Sequence, residues 1–308
     1  MFDLRYHVAS LAAVFLALAV GILLGVAISG KVGDAESALE SQRIAELNSR
    51  VREEQSRAVD ADQRGEASRE LVERAYPALM EDRLDGRGFA VVFLGGVDGS
   101  VRSSVERTLN DAGAGDPVRL LVLDVPVDVE DLDSRLRGDA ELAVYAEEGD
   151  DLTALGEDLA DELVNGGETP LWTALSALLV EERAGTSAFP VDGAIVVRTW
   201  TVPADEDVDS DEARRVRATT TLFDGLVNGL ERGGIPVVGV ERTGGDGSAI
   251  ASYRREGISS VDNVDTIAGR VALALLLAGG QPGHYGVRDS ASDGVVPPLE
   301  SVPPPSGD

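Results

Sequence analysis

The side chains that most often bind soft metal ions or act as nucleophiles and general bases are scarce in this sequence. The 308 residues include no cysteine, two methionines (Met1 and Met80) and two histidines (His7 and His284). Soft metal ions prefer thiolate, thioether or imidazole ligands, so one protomer cannot assemble a dedicated site for them. A Ser-His-Asp arrangement would have to recruit His284, and no motif places a serine for it. We therefore predict no catalytic residue and retain His284 as a candidate metal ligand.

Alternating aspartates form a second candidate site, in which carboxylates would bind calcium. They occupy every other position of one segment, at Asp205, Asp207, Asp209 and Asp211. A calcium-binding loop of this kind needs a glycine at its turn and a glutamate at its end. Ser210 and Val216 occupy those two positions. A solvated acidic loop is therefore the favoured interpretation.

Glycine-rich segments near the ends of predicted strands could bind a ligand. In open α/β sheets, ligands bind beyond the carboxyl ends of the strands, where backbone N–H groups at a helix N-terminus attract anions. The first of these segments matches neither the dinucleotide-binding fingerprint nor the phosphate-binding loop. Glycine also occurs at strand-to-helix turns for steric reasons alone. The candidate cleft residues are Gly95, Gly96, Gly99, Thr199, Gly244 and Gly245.

Short, wholly apolar segments alternate with helical ones and would position these loops. The predicted strands are Phe89–Leu94, Val118–Val125, Ala194–Thr199 and Ile235–Val240. The predicted helices are Val101–Ala112, Asp151–Leu163, Leu171–Glu182, Ala213–Glu231, Ala249–Arg255 and Ile267–Leu277. Apolar strands of this kind are typical of a parallel sheet covered on both faces. We predict an α/β domain with a doubly wound, mostly parallel sheet over residues 88–280.

Residues 8–28 form an uncharged run that is long enough to span a membrane. At 1.5 Å per residue, a helix of this length matches a hydrocarbon core about 30 Å thick. A cleaved signal peptide is the alternative, although its apolar region is usually shorter. Ala17, Gly21 and Gly25 lie four residues apart, a spacing that lets two helix backbones approach in lipid.

Basic residues flank this run on both sides, and we predict that residues 1–7 are cytoplasmic and that the bulk of the chain is extracytoplasmic. Residues 31–82 are rich in Ala, Glu and Arg, and alternating spacings of three and four residues join Ile44, Leu47 and Val51. This pattern predicts a helical coiled-coil stalk with a weak seam, for which a solitary charged helix is the alternative. Together with the small-residue face, it predicts a parallel homodimer.

The composition excludes some partners. The formal net charge is −28, from 55 acidic and 27 basic residues. Nucleic acid and anionic surfaces repel such a chain, so we predict no nucleic-acid partner. Residues 281–308 are rich in Pro, Gly and Asp, which predicts a disordered tail.

Several segments, in order along the chain, resemble the actinobacterial MctB-type copper transport protein family. They are Phe2–His7, Ser10–Ala19, Gly21–Gly25, Pro236–Glu241, Ser260–Thr266, Ala268–Leu273 and Gly283–Val287. The resemblance implies a role in copper homeostasis, described for the family as efflux through the outer envelope. This resemblance is the only feature of the sequence that suggests a relation to copper.

We expect a membrane-anchored envelope protein that is non-enzymatic and is not a pore by itself. An outer-membrane pore needs long strands of alternating polarity, whereas the strands predicted here are short and uniformly apolar. One alternative is a scaffold whose stalk recruits cell-envelope or division partners. A second alternative is a ligand-binding or enzymatic cleft at the glycine loops.

Overall fold

The computed structural model describes residues 4–115, 118–147, 151–200, 210–244 and 247–302, with only the backbone described for residues 4–8 and 28–41. The chain divides into two compact units, Met1–Glu70 and Leu71–Asp308. One long helix, α1 (Leu4–Met80), forms the first unit and ends in the second.

The N-terminal part of α1 contains one stretch suited to a bilayer. Ala9–Ala27 spans 19 residues with a mean hydropathy of 2.6, and none of it is buried. Its length and composition allow it to cross a membrane, in line with the span predicted at residues 8–28. A signal sequence near the N-terminus would also have these properties.

The middle of α1 is a charged and fully exposed helix. Arg50 pairs with Glu46 at 2.7 Å and Arg57 with Glu53 at 2.9 Å, each across one helical turn. The apolar residues of the predicted seam are also exposed, with exposed fractions of 55% for Ile44, 60% for Leu47 and 51% for Val51. Pairing of two such helices remains a prediction.

The second unit is an α/β structure built on one sheet. Its described strands are β1 (Phe89–Leu94), β2 (Val118–Leu123), β3 (Val180–Ala184), β4 (Gly193–Arg198), β5 (Val237–Val240), β6 (Ser259–Val261) and β7 (His284–Tyr285). The described helices are α2 (Gly99–Asp111), α3 (Val129–Gly138), α4 (Ala143–Ala146), α5 (Thr153–Asn165), α6 (Pro170–Leu179), α7 (Asp211–Arg232), α8 (Ile250–Arg255) and α9 (Ile267–Leu277), with a 3-10 turn at Leu299–Ser301.

The seven described strands are ordered β3-β2-β1-β4-β5-β6-β7. Every described pairing is parallel except that of β2 with β3. Strand β1 lies in the interior of the sheet, with Phe89 opposite Val118 on one side and Gly193 on the other. All six residues of β1 are buried. This explains why the strand reads as a continuous apolar run without alternation.

Side chains of β1 enter two separate hydrophobic clusters, one on each face of the sheet. Phe89, Val91 and Phe93 pack in a cluster that includes residues of α2, α9 and the end of α1. The alternate residues of β1 pack in a cluster that includes residues of α3, α5, α6, α7 and α8. Successive side chains of a strand point to opposite faces, so helices contribute to the core on both faces.

The structure differs from the predicted elements in one helix bound and in several elements that were not predicted. Residues 180–182 were predicted to end a helix, but they begin β3, an antiparallel edge strand that is partly exposed. Residues 129–138 carried no prediction and form α3, which Asp128 caps by accepting from the backbone N–H groups of Glu130 and Asp131. Both elements contain charged residues on their exposed faces, so neither has the continuous apolar pattern from which the other elements were predicted.

The predicted disordered tail is ordered over residues 281–302. Strand β7 pairs with β6 inside this segment, and Tyr285 is only 1% exposed. The buried carboxylate of Asp262 accepts hydrogen bonds from Val287 N at 2.8 Å and Arg288 N at 2.9 Å. These long-range contacts hold a segment whose composition suggested disorder. Residues 303–308 lie outside the described part of the chain.

Candidate functional site

A cleft of about 670 Å³ lies at the carboxyl ends of β1, β4 and β5. We call it the edge cleft; its charged and aromatic lining residues are Asp98, Arg198, Trp200, Asp224, Glu241, Arg242, Arg255 and Arg288. In the sheet, β1 has β2 as its neighbour on one side and β4 as its neighbour on the other. A crevice forms where the strand order reverses in this way, and ligands of open α/β sheets bind there.

Two of the predicted glycine loops meet beside the edge cleft. Thr199 lines it, and the Thr199 hydroxyl donates to the carbonyl of Gly96 at 2.7 Å. Gly95 has φ +111°, and an added Cβ would lie 2.7 Å from Thr199 Oγ1 and 2.9 Å from Trp200 N. Gly95 is therefore required by close backbone packing, which is the steric interpretation of this glycine.

Two further predicted loop residues, Gly99 and Gly244, do not line the edge cleft. Gly99 begins α2, and Gly244 has φ +73° with no atom near the place of an added Cβ. Gly245 lies outside the described residues. The backbone glycines therefore shape the turns, while side chains next to them carry the polar groups of the cleft.

One wall of the edge cleft is an ion pair attached to the start of α2. The Asp98 carboxylate caps α2 by accepting from Ser100 N at 2.8 Å and Val101 N at 3.3 Å. Its second oxygen accepts from Arg242 Nε at 2.9 Å. The hydrogen bond from the Ser100 hydroxyl is the largest cause that lowers the pKa of Asp98, and Arg242 lowers it further. Asp98 is therefore a fixed carboxylate near neutral pH.

A second ion pair joins β5 to the C-terminal segment. Glu241 accepts hydrogen bonds from the Ser248 hydroxyl at 2.9 Å and from Ala249 N at 2.8 Å. Arg288 lies 3.4 Å from Glu241, and Asp262 holds its backbone in place. Burial raises the pKa of Glu241 despite these partners. The segment predicted to be disordered thus completes the edge cleft.

One lining residue, Arg198, forms a buried ion pair with Glu256, which is not itself part of the lining. Arg198 donates to Glu256 at 2.6 Å, and the side chains are 9% and 8% exposed. The backbone N–H of Arg198 donates to the Tyr253 hydroxyl at 2.9 Å. Burial raises the pKa of Glu256, since desolvation outweighs the attraction of Arg198. Within the part of the chain that is described, Arg198 Nε and Glu256 Oε2 have no hydrogen-bond partner.

The last wall combines an aromatic ring with a further arginine. The half-buried indole of Trp200 meets Phe223 edge to face, with ring centroids 5.8 Å apart. Arg255 donates to the Ser252 hydroxyl at 3.0 Å. Of the described residues, no carboxylate lies within ion-pair distance of Arg255. Four arginines and three carboxylates are among the described residues that line the cleft, so it can form ion pairs and hydrogen bonds with a ligand.

His284 lies on β7, away from the edge cleft lining. Its Nδ1 is 2.9 Å from the Ser260 hydroxyl. No sequence motif identified a serine partner for His284, and the structure shows that Ser260 is this partner. Ser260 is 0% exposed, so it cannot reach a substrate. Burial is the main cause that lowers the pKa of His284. The pair therefore packs β6 against β7 and does not form a usable nucleophile.

The described residues contain no cluster of three or more His, Cys, Asp or Glu side chains suited to a metal ion. Met80 is 1% exposed and belongs to the core. Asp211 lies in the first turn of α7, which Ser210 caps by accepting from Ala213 N at 3.0 Å. The second half of the proposed calcium loop is therefore helical; Asp205, Asp207 and Asp209 lie outside the described residues. The described donor set does not fit a soft metal ion.

The predicted packing residues of the membrane span are exposed along α1. Ala17, Gly21 and Gly25 are exposed, and no atom lies within 4 Å of a Cβ added at Gly21 or Gly25. The face they form is free to receive another helix.

The charged residues of the edge cleft were not anticipated from the sequence. The local signal was present for Asp98, because an aspartate two residues before a serine at a predicted helix start indicates an N-cap. No local signal links it to Arg242, since the two residues are 144 positions apart.

Comparison with known proteins gives the chain a family. No curated protein matches it. The family model described as "Copper transport outer membrane protein, MctB" matches residues 1–297. This match covers nearly the whole chain, including α1, the sheet and the C-terminal segment that completes the edge cleft. The chain belongs to the MctB copper transport outer membrane protein family.

Proposed function

We propose that this protein is a membrane-anchored envelope protein that supports copper tolerance without catalysing a reaction and without forming a pore alone. The match to a copper transport family over residues 1–297 carries the proposal. The apolar stretch Ala9–Ala27 supplies the anchor. We further propose a cytoplasmic N-terminus, next to Arg5, and an extracytoplasmic α/β unit, as acidic residues follow Lys31 on the other side.

The form of the sheet supports a role other than conduction. Conduction through a membrane by strands requires a closed sheet whose strands are about 9 to 11 residues long. The longest described strands have six residues, and the described sheet has open edges at β3 and β7. A single apolar helix cannot line a channel alone. We therefore assign transport of copper to partners that this protein assists.

The donor chemistry supports an indirect relation to copper. Copper(I) prefers thiolate and thioether ligands, and copper(II) prefers imidazole. The chain has no cysteine, its Met80 is buried in the core, and His284 contacts Ser260. Copper is the cargo of the pathway, and we propose that it is not held in the α/β unit.

We further propose that the protein forms a dimer. The exposed seam residues Ile44, Leu47 and Val51 favour a parallel coiled coil, and the space beside Gly21 and Gly25 favours close helix contact in lipid. The alternation of strands and helices, with helices in the core on both faces, favours a doubly wound sheet. A dimer would contain two edge clefts, one in each protomer.

Deletion of the encoding gene tests this function. We expect the deletion strain to stop growing at a lower copper concentration than its parent, and the full chain to restore tolerance. Sensitivity to zinc or cadmium should not change, which controls for a general envelope defect. Unchanged copper tolerance, accompanied by chained cells or septal defects, would replace this proposal with the scaffold function.

A further inference from the structure

The charged groups of the edge cleft form pairs of opposite charge. Each pair joins two elements, and the three pairs are Arg242 with Asp98, Arg288 with Glu241 and Arg198 with Glu256. Arg255 adds a positive charge and Asp224, 3.9 Å from Arg198, adds a negative one. The positive and negative charges therefore nearly cancel, even though the whole chain has a net charge of −28.

This balance disfavours charged ligands. An anion would gain from the guanidinium groups but would also lie close to carboxylates, and like charges disfavour each other at short range. A cation would be attracted by the carboxylates but would lie close to the guanidinium groups, which repel it. A hydroxyl group both donates and accepts, so it can bridge a guanidinium N–H and the carboxylate oxygen beside it. The lining thus suits a ligand rich in neutral hydroxyl groups.

The carboxylates of two of these pairs are held in place, which favours recognition of fixed hydroxyl positions. Asp98 is fixed by the N-cap of α2 and Glu241 by Ala249 N, and Asp262 fixes the backbone of Arg288. Side chains held in this way lose little conformational entropy when a ligand binds.

Trp200 supplies the apolar surface that a ring-shaped ligand requires. Its indole lines the edge cleft and is supported from behind by Phe223. Val101, Val197 and Val240 extend this apolar surface. The cleft volume of about 670 Å³ lies within the range of roughly 300–1,000 Å³ typical of sites for organic ligands.

We propose that the edge cleft binds a saccharide through its hydroxyl groups, with a sugar ring packed against Trp200. Asp98 and Arg242 bind one pair of hydroxyls, and Glu241 and Arg288 bind another. This binding function is additional to copper tolerance and does not depend on it.

Intrinsic fluorescence of the full chain measures this binding directly. The chain has two tryptophans, and Trp172 is 2% exposed in the core, so Trp200 reports on the cleft. The protein is kept in a detergent without a sugar head group, because a maltoside or glucoside would compete. Maltotriose, cellotriose and chitotriose are the saccharide probes, and inorganic phosphate and citrate are the anionic probes.

We expect a saturable change with at least one trisaccharide, and the affinity should be the same at about 0.05 and 0.5 M NaCl because the ligand is neutral. No saturation with any trisaccharide up to about 10 mM would overturn the proposal. Saturation by phosphate or citrate that weakens with salt would overturn it in favour of an anion site. Trp200→Phe should remove the signal, whereas Trp172→Phe should retain it.

Two variants test the assigned residues. Asp98→Asn keeps an N-cap oxygen for α2 but turns a nitrogen towards Arg242, and Arg242→Gln removes the guanidinium. Each should weaken binding of the trisaccharide by about tenfold, since hydrogen bonds to charged groups are lost. Arg137→Gln removes an exposed arginine that pairs with Asp133 on α3, outside the cleft, and should leave binding unchanged. Folded variants that bind as the wild type does would contradict the assignment.

Discussion

His284 combines partial burial with a single described side-chain partner, the Ser260 hydroxyl. Burial lowers its pKa from 6.5, so the unfolded chain binds more protons than the folded chain below that value. The stability contributed by neutral His284 is therefore complete above about pH 6.5 and is lost as the pH falls. Urea unfolding of the full chain between about pH 5.5 and 7.5 measures this slope. His284→Gln should flatten it, and a slope that is unchanged in this variant would contradict the cause.

Gly286 is the residue on which the C-terminal segment most depends. It has φ +147°, and an added Cβ would collide with the Asp262 carboxylate that binds Val287 N and Arg288 N. We expect Gly286→Ala to lower the free energy of unfolding by about 2–4 kcal/mol, through backbone strain and loss of these hydrogen bonds.

Gly294→Ala is the matched control for that change. Gly294 has φ +105°, but no atom lies within 4 Å of an added Cβ. It should cost only the backbone strain, about 1–2 kcal/mol. Equal destabilisation by the two variants in denaturant titrations would show that the contact with Asp262 adds nothing.

Among the elements, α1 allows a clean test of pairing because the chain has no cysteine. Val51 lies on the predicted seam, and Ser49 lies off it. In membranes treated with a mild oxidant, Val51→Cys should form a disulfide-linked dimer, since seam residues of a parallel coiled coil face their equivalents. Ser49→Cys should remain monomeric on a non-reducing gel. Equal cross-linking at both positions, or none at Val51, would contradict a parallel dimer with this seam.

Elements whose pattern is dictated by complete burial could be predicted from the sequence. Strand β1 and helix α9 have the bounds that their apolar runs predict, Phe89–Leu94 and Ile267–Leu277. Strand β3 could not be predicted, because its sequence, VEERA, is that of a charged, half-exposed edge. Strands β6 and β7 are three and two residues long, too short for any periodicity to appear.

The candidate site was predictable in position but not in chemistry. Gly95 and Thr199 marked the ends of β1 and β4, where the topology forms a crevice. The ion pairs that line it join residues far apart in sequence, as Arg242 and Asp98 do, so no local pattern indicates them. Compositional bias at residues 281–302 also concealed Arg288, whose position depends on Asp262 and on no signal in its own segment.

At the scale of the whole molecule, an acidic chain contains a nearly neutral cleft and one apolar stretch that could span a membrane. The net charge of −28 attracts cations to the surface, but exposed carboxylates in water bind them weakly and are screened by salt. Copper should therefore associate with this protein only as a diffuse counterion. We therefore propose that the role of this protein in copper transport depends on partner proteins.

Titration of copper(I) and copper(II) into the full chain in detergent, against a competing chelator, tests that central claim most directly. We predict no stoichiometric binding once the chelator is present, and only weak association that disappears at about 0.5 M salt, since the screening length is then a few ångströms. His284→Gln should behave as the wild type does. Tight one-to-one binding that persists at about 0.5 M salt, and that is lost in His284→Gln, would contradict the account. It would show that the protein binds copper directly.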